Sequence, residues 1–170
     1  MMLSSFNKKG FSLIELMVVL VIVGGLLTLV TVNMEFLIPS SRLNAGARAI
    51  ASTLILAYNR AAVNGEDAIV SYNIDKRIYQ LILMNKGKPD AYTPWTLPEG
   101  VSYLDIVAAG ERKKTSGIFE VYISPLGIAR AHIVHLQNKE GKRISIEVNP
   151  LSGAVEVKEG YQELDIVEES

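Results

Sequence analysis

The chain has 170 residues, no cysteine and nearly balanced charge, with 17 lysines and arginines against 18 acidic side chains. Such a balance argues against a strongly basic nucleic-acid binder. The absence of cysteine excludes disulfides, thiolate-bound zinc and thiol catalysis. The length suits one anchored domain, and that domain must be stabilised by packing.

The first element of the chain is an apolar segment, which runs from Phe11 to Val32. A helix over this segment would be about 33 Å long, enough to cross a hydrocarbon core of about 30 Å. A secretory signal peptide usually has a shorter apolar region that ends in a small-x-small cleavage site. Here Gly24 and Gly25 lie inside the run instead, so the segment is predicted to span a membrane. These glycines either allow close helix approach or local unwinding, or reflect the ordinary frequency of glycine in membrane helices.

An acidic residue, Glu15, interrupts the apolar segment close to its start. An ionised carboxylate at bilayer depth costs at least about 2.5 kcal/mol, so a partner cation is expected. Cleavage of the chain after Gly10 would create an α-amino group on Phe11, four residues before the carboxylate. This amine would be a cation at a matching depth.

The N-terminal block resembles the class III leader and prepilin-peptidase site of type IV pilins and type II secretion pseudopilins. The resemblance implies cleavage between Gly10 and Phe11, N-methylation of Phe11, and a Glu15 carboxylate that neutralises the amine of a neighbouring subunit. The simpler alternative is a plain single-pass anchor with a glutamate at the membrane edge. The residues that carry the resemblance are Lys8-Lys9-Gly10-Phe11-Ser12-Leu13-Ile14-Glu15-Leu16-Met17-Val18-Val19.

A second helical pattern follows Pro39, which predicts a break or kink because proline lacks an amide donor and clashes with the preceding turn. Apolar residues then recur at spacings of three and four, as on one face of a helix that packs on a sheet. Asn64-Gly65 supplies the C-terminal stop. The predicted buried face consists of Leu43, Ala47, Ile50, Leu54, Ala57, Tyr58 and Ala61.

The remainder of the chain reads as short strands joined by tight turns, which predicts an antiparallel sheet. Asn85 to Gly100 is rich in glycine and proline and is predicted to be an irregular loop that Trp95 pins down. The last residues, from Glu159, hold five acids and no base, which is typical of a solvated tail or, less simply, an ion site. The predicted strands are Asp67 to Ile74, Arg77 to Met84, Val101 to Val107, Gly117 to Ser124, Ala129 to Asn138, Arg143 to Asn149 and Ala154 to Lys158.

These elements predict an α+β fold: a long N-terminal membrane and assembly helix followed by an antiparallel β-sheet domain. The predicted organisation is a removable leader over 1–10, a membrane and assembly helix over 11–38, its continuation onto the head over 39–65, and a β-rich periplasmic domain over 66–170.

The globular part resembles the GspH/FimT group of minor pseudopilins and minor pilins. The resemblance implies a structural subunit at the tip of a type II secretion pseudopilus, anchored in the bacterial inner membrane with its head in the periplasm. Implied partners are other pseudopilins or pilins, the prepilin peptidase and N-methyltransferase, and the inner-membrane assembly platform. A major pseudopilin fits less well, because the calcium loop of that group has no clear counterpart. The matching residues are Leu56, Arg60, Ala62, Gly65, Ile69-Val70, Trp95 to Val101, Phe119 to Gly127 and Gly153 to Val155.

No set of residues suggests catalysis, a cofactor or a metal, so a non-enzyme is predicted. The only histidines, His132 and His135, should face opposite sides of a strand and make a poor joint metal site. Ser124-Pro125-Leu126-Gly127 is not a nucleophile elbow. The adjacent Glu66 and Asp67 do not converge across a cleft as paired acid–base groups must.

The alternative function is a minor type IV pilin, in pilus assembly or in DNA uptake. DNA uptake would need a cationic track, and Arg112-Lys113-Lys114 is instead interpreted as a solvated loop tip. Loss of the leader removes Lys8 and Lys9, which leaves 15 basic against 18 acidic residues. Nucleic-acid binding is therefore not expected. The remaining candidates for the track are Arg130, Lys139, Lys142 and Arg143.

Overall fold

The computed structural model describes residues 11–150 and 152–164, with side chains defined in this range except for 27–39. The predicted leader, 1–10, and the end of the acidic tail, 165–170, lie outside the described residues. The chain divides into two compact units, Met1–Ile38 and Pro39–Ser170.

The only helix of the described residues, α1, covers Leu13–Asn64. It ends as predicted, because Gly65 takes a left-handed φ of 67° and donates its N–H to the Ala61 carbonyl. The predicted break at Pro39 is wrong, since the helical assignment continues through that residue. A proline removes one backbone hydrogen bond from the ladder, and the many bonds of a 52-residue helix can continue on either side of it. A kink at Pro39 stays a prediction.

The part of α1 within the second unit presents the predicted apolar face to the core. Leu43, Ala47, Ile50, Leu54, Ala57, Tyr58 and Ala61 are all buried. The polar positions between them, Arg42, Arg48, Ser52, Asn59 and Arg60, are exposed. A stripe of this width is what a helix needs to cover a sheet.

In the described residues nine strands follow the helix and form two antiparallel sheets. The first sheet has the order β3-β2-β1-β6, with β4 also paired to β2, and the second has the order β5-β7-β8-β9. The strands are β1 Ala68–Asn73, β2 Ile78–Asn85, β3 Lys88–Ala91, β4 Trp95–Thr96, β5 Val101–Ala108, β6 Ile118–Ile123, β7 His132–Asn138, β8 Arg143–Val148 and β9 Val155–Glu159.

The α+β, pilin-like fold predicted from the sequence is confirmed, and each of the seven predicted strands is present. The predicted loop from Asn85 to Gly100 is wrong in part, because it contains the short strands β3 and β4. Pro89 lies in β3, although the glycine and proline content of this stretch predicted irregular structure. In the described residues β3 pairs only with β2. An edge strand of this kind tolerates a proline, which lacks a backbone N–H donor. Trp95 stacks on Tyr79 and Tyr92, with ring centroids 5.6 and 6.2 Å apart.

The core lies on the inner face of the first sheet and on both faces of β7. In β1 the inward residues Ala68, Val70 and Tyr72 are fully buried, while the alternate residues are half-buried. All residues of β7 except Gln137 are buried, so both faces of this central strand are covered. The second sheet therefore needs cover on its outer face as well.

Candidate functional site

The start of α1 holds the predicted assembly site, and its backbone is capped by Ser12. The Ser12 Oγ accepts a hydrogen bond from the Glu15 N–H at 3.3 Å, and the Ser12 carbonyl accepts one from the same N–H at 3.1 Å. A serine at this position satisfies one of the amide donors that a helix leaves unpaired at its N-terminus. Glu15 lies in the first turn, where a negative charge is favoured by the helix dipole.

Sequence reasoning missed this cap, although the signal was present. Ser12-Leu13-Ile14-Glu15 has the Ser-x-x-Glu spacing of a capping box. The serine half of this box is formed, since the Ser12 Oγ accepts the Glu15 N–H. Among the described residues its carboxylate forms no ion pair within the chain.

The apolar side chains of residues 11–26 are exposed on every side of the helix. Phe11 is 79% exposed and even the most covered of these residues, Val19 and Val23, are 46% exposed. A helix that is apolar all round is normally buried in a membrane or among other helices. The other exposed apolar residues are Leu13, Ile14, Leu16, Met17, Val18, Leu20, Val21, Ile22 and Leu26.

The predicted membrane span receives no support from the described helix, in which no stretch meets the combined length and hydropathy of a membrane-crossing segment. The predicted span extends to Val32, and its side chains from residue 27 onward lie outside the described ones.

The glycine pair in the apolar segment is not explained by packing within the chain. A Cβ atom placed on Gly24 or Gly25 would meet no described atom within 4 Å. Neither glycine has a left-handed backbone. Close helix approach, local unwinding and the ordinary frequency of glycine in membrane helices therefore all stay predictions for this pair.

The two histidines face opposite sides of β7, as predicted. His132 lies against Tyr72 and Phe119, with ring centroids 6.4 and 6.3 Å away. Its burial lowers the pKa to about 4, while a hydrogen bond at 3.0 Å from Nδ1 to the Arg130 carbonyl opposes that shift. His132 is therefore a neutral core residue at ordinary pH.

His135 lies on the outer face of the second sheet and is also fully buried. Its Nδ1 is 2.6 Å from Asp105 Oδ1, and its Nε2 is 2.8 Å from the Gln162 carbonyl. Sequence reasoning treated both histidines as ordinary strand residues and missed this contact, because the cover comes from a distant segment. No cluster of three metal-ligating side chains occurs in the described part of the chain.

The adjacent acids Glu66 and Asp67 do not form a joint site. Both Glu66 carboxylate oxygens accept the Lys86 N–H, at 2.7 and 2.9 Å, and so fasten the turn after β2. Asp67 uses its backbone carbonyl to accept the Met84 N–H. The contacts of Glu66 are those of a structural residue.

The basic run after β5 lies at the surface, and two of its lysines contact other parts of the head. Lys113 Nζ is 3.4 Å from Asp105 Oδ2 and 4.8 Å from the centre of the Tyr161 ring. Lys114 pairs with Ile106 through their backbones, and its ammonium donates to the Ile118 carbonyl. Arg112 and Lys113 are exposed, in keeping with a solvated loop tip, and Lys113 and Lys114 in addition contact neighbouring segments.

Other members of the possible cationic track also have partners. Arg130 pairs with Glu111, and Lys142 Nζ donates to Ser40 Oγ at 2.8 Å. The carboxylate of Glu111 offsets the positive charge that Arg130 could offer to a phosphate backbone, whereas the Ser40 hydroxyl leaves the charge of Lys142 unchanged.

Comparison with known proteins adds two findings. Residues 5–31 match the prokaryotic N-terminal methylation motif. The fold is similar to that of the minor pseudopilin EpsH from the type II secretion system of Vibrio cholerae, seen in two solved structures. The chain is type IV pilin-like. No curated protein matches it in sequence.

The likeness of this type IV pilin-like chain to the first EpsH structure has a TM-score of 0.59 at 14% identity, covering 72% of this chain and 98% of the other. For the second structure the TM-score is 0.55 at 15% identity, with 69% and 97% covered. At such identities the match establishes the shared fold. The motif and the fold together confirm the resemblance drawn from the sequence.

Proposed function

We propose that this type IV pilin-like chain is a minor pseudopilin, a structural subunit at the tip of a type II secretion pseudopilus. The observation that carries the proposal is a helix apolar on every side, headed by a capped glutamate and followed by a head with the fold of EpsH. The head needs no partner to bury its core, whereas the N-terminal helix does. This division of roles suits a subunit that anchors first and assembles afterwards.

The processing site is part of the proposal. Cleavage between Gly10 and Phe11, followed by N-methylation of Phe11, would place a cationic amine next to the start of α1. Before cleavage the basic leader would stay on the cytoplasmic side of the membrane, and the head would lie in the periplasm. The domains are then the leader 1–10, the membrane and assembly helix 11–38, its continuation 39–65 and the β-rich head 66–170.

Glu15 would pair with the amine of a neighbouring subunit. Lipid is as apolar as the helix, so the hydrophobic effect gives little drive for helices to associate within the membrane. A carboxylate and an amine that are both removed from water stabilise a complex only when they meet each other. The pair would therefore set the register between subunits, while Gly24 and Gly25 would allow their helices to approach.

Processing is tested by intact-mass measurement of the membrane-extracted protein. We expect a mature chain that begins at Phe11 with one added methyl group, and an unprocessed chain when Gly10 is changed to a bulky residue such as leucine. A mass that retains residues 1–10 in assembled filaments would contradict the processing site.

Whether the chain belongs to a type II secretion system or to a type IV pilus is tested by deleting its gene in the source organism. We expect loss of exoprotein secretion with pilus-dependent motility and DNA uptake intact, and recovery on complementation. Normal secretion together with loss of pili or of transformation would instead identify a minor type IV pilin. The genes beside it provide an independent check, because a secretion ATPase, platform and secretin are expected there.

A further inference from the structure

The segment after β9, residues 160–164, covers the outer face of the second sheet and is held there by two kinds of contact. Ser145 Oγ donates to the Gly160 carbonyl at 2.8 Å and accepts the Gln162 N–H at 2.9 Å. These bonds do not depend on pH in the physiological range. The remaining contacts involve ionisable groups of three different parts of the head.

His135 is the centre of the second kind of contact. The Tyr161 ring stacks on the imidazole with centroids 3.9 Å apart and planes inclined by 18°. The imidazole of His135 therefore has an oxygen atom beside each of its two nitrogens and the Tyr161 ring against one face. An imidazole buried in this way exchanges water for partners supplied by the C-terminal segment.

The hydrogen-bond geometry determines how many protons the cluster holds. The Gln162 carbonyl can only accept, so Nε2 must carry a hydrogen. The contact of 2.6 Å between Nδ1 and Asp105 Oδ1 needs a second proton, because two unprotonated acceptors would repel each other. The Lys113 ammonium lies 3.4 Å from the other carboxylate oxygen, so this carboxylate accepts from cationic donors and the second proton is assigned to the imidazole.

We infer that His135 is an imidazolium in this arrangement and acts as a proton-dependent clasp that fastens residues 160–164 to the second sheet. Loss of one proton removes one of the two hydrogen bonds. The carboxylate is the stronger acceptor and keeps the proton at Nδ1, so Nε2 loses its hydrogen and then faces the Gln162 carbonyl as a second acceptor. The clasp therefore opens as the pH rises.

The groups around the clasp all belong to the described residues. Asp105 belongs to β5, Lys113 to the loop after it, Ser145 to β8 and Tyr161 to the covering segment. The Tyr161 hydroxyl donates a hydrogen bond to Asp105 Oδ1 at 3.5 Å. An adjoining surface cavity of about 490 Å³ is lined by Glu111 and Glu163 among others. Opening of the clasp would release the start of the acidic C-terminal segment.

In the periplasmic location proposed above, on which this step rests, the head would experience the external pH, and histidine is the side chain suited to respond to pH in the physiological range. The clasp would thus couple the exposure of an acidic segment to the surroundings of the cell. This inference stands on contacts within the head and does not depend on which filament the chain joins.

The clasp is tested on the full-length chain in detergent micelles with a spin label at Glu163→Cys, which is a unique site because the chain has no cysteine. We expect a restricted label at about pH 5 and a mobile one at about pH 8.5. The matched control is the same label at Glu140→Cys in the exposed turn after β7, whose mobility should not change. A label at residue 163 that is equally mobile at both pH values would overturn the clasp.

Two variants separate the pH-dependent from the constant contacts. Ser145→Ala should raise the mobility of the label at every pH and keep the pH step, whereas His135→Gln should abolish the step. A step that persists in a folded His135→Gln chain, as judged by circular dichroism, would assign the pH response to another group.

A direct measurement on the wild-type chain keeps the inference testable if His135→Gln does not fold. The chain has only two histidines, so ¹⁵N-histidine labelling gives two sets of ring signals. At about pH 5.5 we expect one imidazolium, from His135, and one neutral ring, from His132. Two neutral rings at that pH would overturn the inference.

Discussion

The two units of the chain differ in how far their apolar side chains are exposed. In residues 11–26 every large apolar side chain is exposed, whereas the head buries residues such as Leu54 and Ile146 completely. The head therefore obtains its stability within one molecule, and the N-terminal helix must obtain its stability from lipid or from other subunits. The comparison teaches that hydrophobicity alone does not tell a folding core from an assembly surface. The distinction comes from which residues have partners in the same chain.

The largest effect on the head is expected from Leu54→Ala. Leu54 is fully buried between helix and sheets, so its truncation should lower the free energy of unfolding by about 2–5 kcal/mol. The matched control is Leu20→Ala in the first unit, where the side chain is 62% exposed and the head should be unaffected. Both are measured by denaturant unfolding of the full-length chain in mild detergent, followed through the single tryptophan, Trp95. Equal destabilisation by the two changes would contradict the separation of the units.

The next effect is a loss of stability of the folded head at acidic pH. Burial lowers the pKa of His132 in the folded head to about 4, whereas an unfolded histidine titrates near 6.5. The unfolded chain then binds more protons between these values, so stability should fall as the pH drops from about 6.5 to 4, by on the order of 3 kcal/mol. Comparison of unfolding free energies at the two pH values in wild type and His132→Gln checks this, and an unchanged pH slope in the variant would assign the loss to other groups.

A steric and backbone effect in the same range is expected at Gly153, where a Cβ would come within 2.7 Å of Tyr58 Cδ1 and φ is 66°. Gly153→Ala should cost about 1–3 kcal/mol for the contact in addition to about 1–2 kcal/mol for the left-handed backbone. Gly127→Ala has a similar φ of 74° but open space around it, so it isolates the backbone cost. Gly24→Ala in the first unit should leave the head unchanged. Unfolding curves that do not distinguish Gly153→Ala from Gly127→Ala would disprove the steric contact.

The smallest effect on the head, and the sharpest on assembly, is expected from Glu15→Ala. Membrane insertion should be unchanged or slightly improved, because a costly charge is removed, while cross-linking to neighbouring pilin-like subunits should fall strongly. Glu15→Gln removes the charge but keeps a side chain suited to a capping box, and Ser12→Ala weakens the cap and keeps the charge. If Ser12→Ala impairs cross-linking as much as Glu15→Gln does, the cap rather than the charge pair is the important feature.

The sequence predicted the head well because its periodicities are strong and local. Alternation along β1 and the three- and four-residue spacing on α1 each place one side in the core. The edge strands β3 and β4 escaped prediction, since they are short and carry Pro89 and turn residues. The predicted break at Pro39 was wrong because one missing backbone hydrogen bond does not end a long helix.

The sites were predictable to different degrees. The methylation motif is a contiguous block, so it can be read from the sequence and is matched by the comparison. The contact of His135 with Gln162 joins residues from separate elements, and nothing local signals it. Lys113 likewise reads as part of a charge run until the fold brings Asp105 and Tyr161 beside it.

The pairing of β1 with β6 has a consequence for the order in which the head forms. Ala68 pairs with Ile123, so β1 and β6 can pair only after the long chain segment between them has closed into a loop. Gln137 pairs with Arg143 across a tight turn, so β7 and β8 are joined by a much shorter loop. Closing the larger loop costs more chain entropy and slows the step. Pulse-labelled hydrogen exchange during refolding should therefore protect amides of β7 and β8 before those of β6; simultaneous protection would argue against this order. A head that emerges from a translocation channel from its N-terminal side would keep the free edge of β1 open until β6 arrives, and during that interval it would be most exposed to mispairing with other chains.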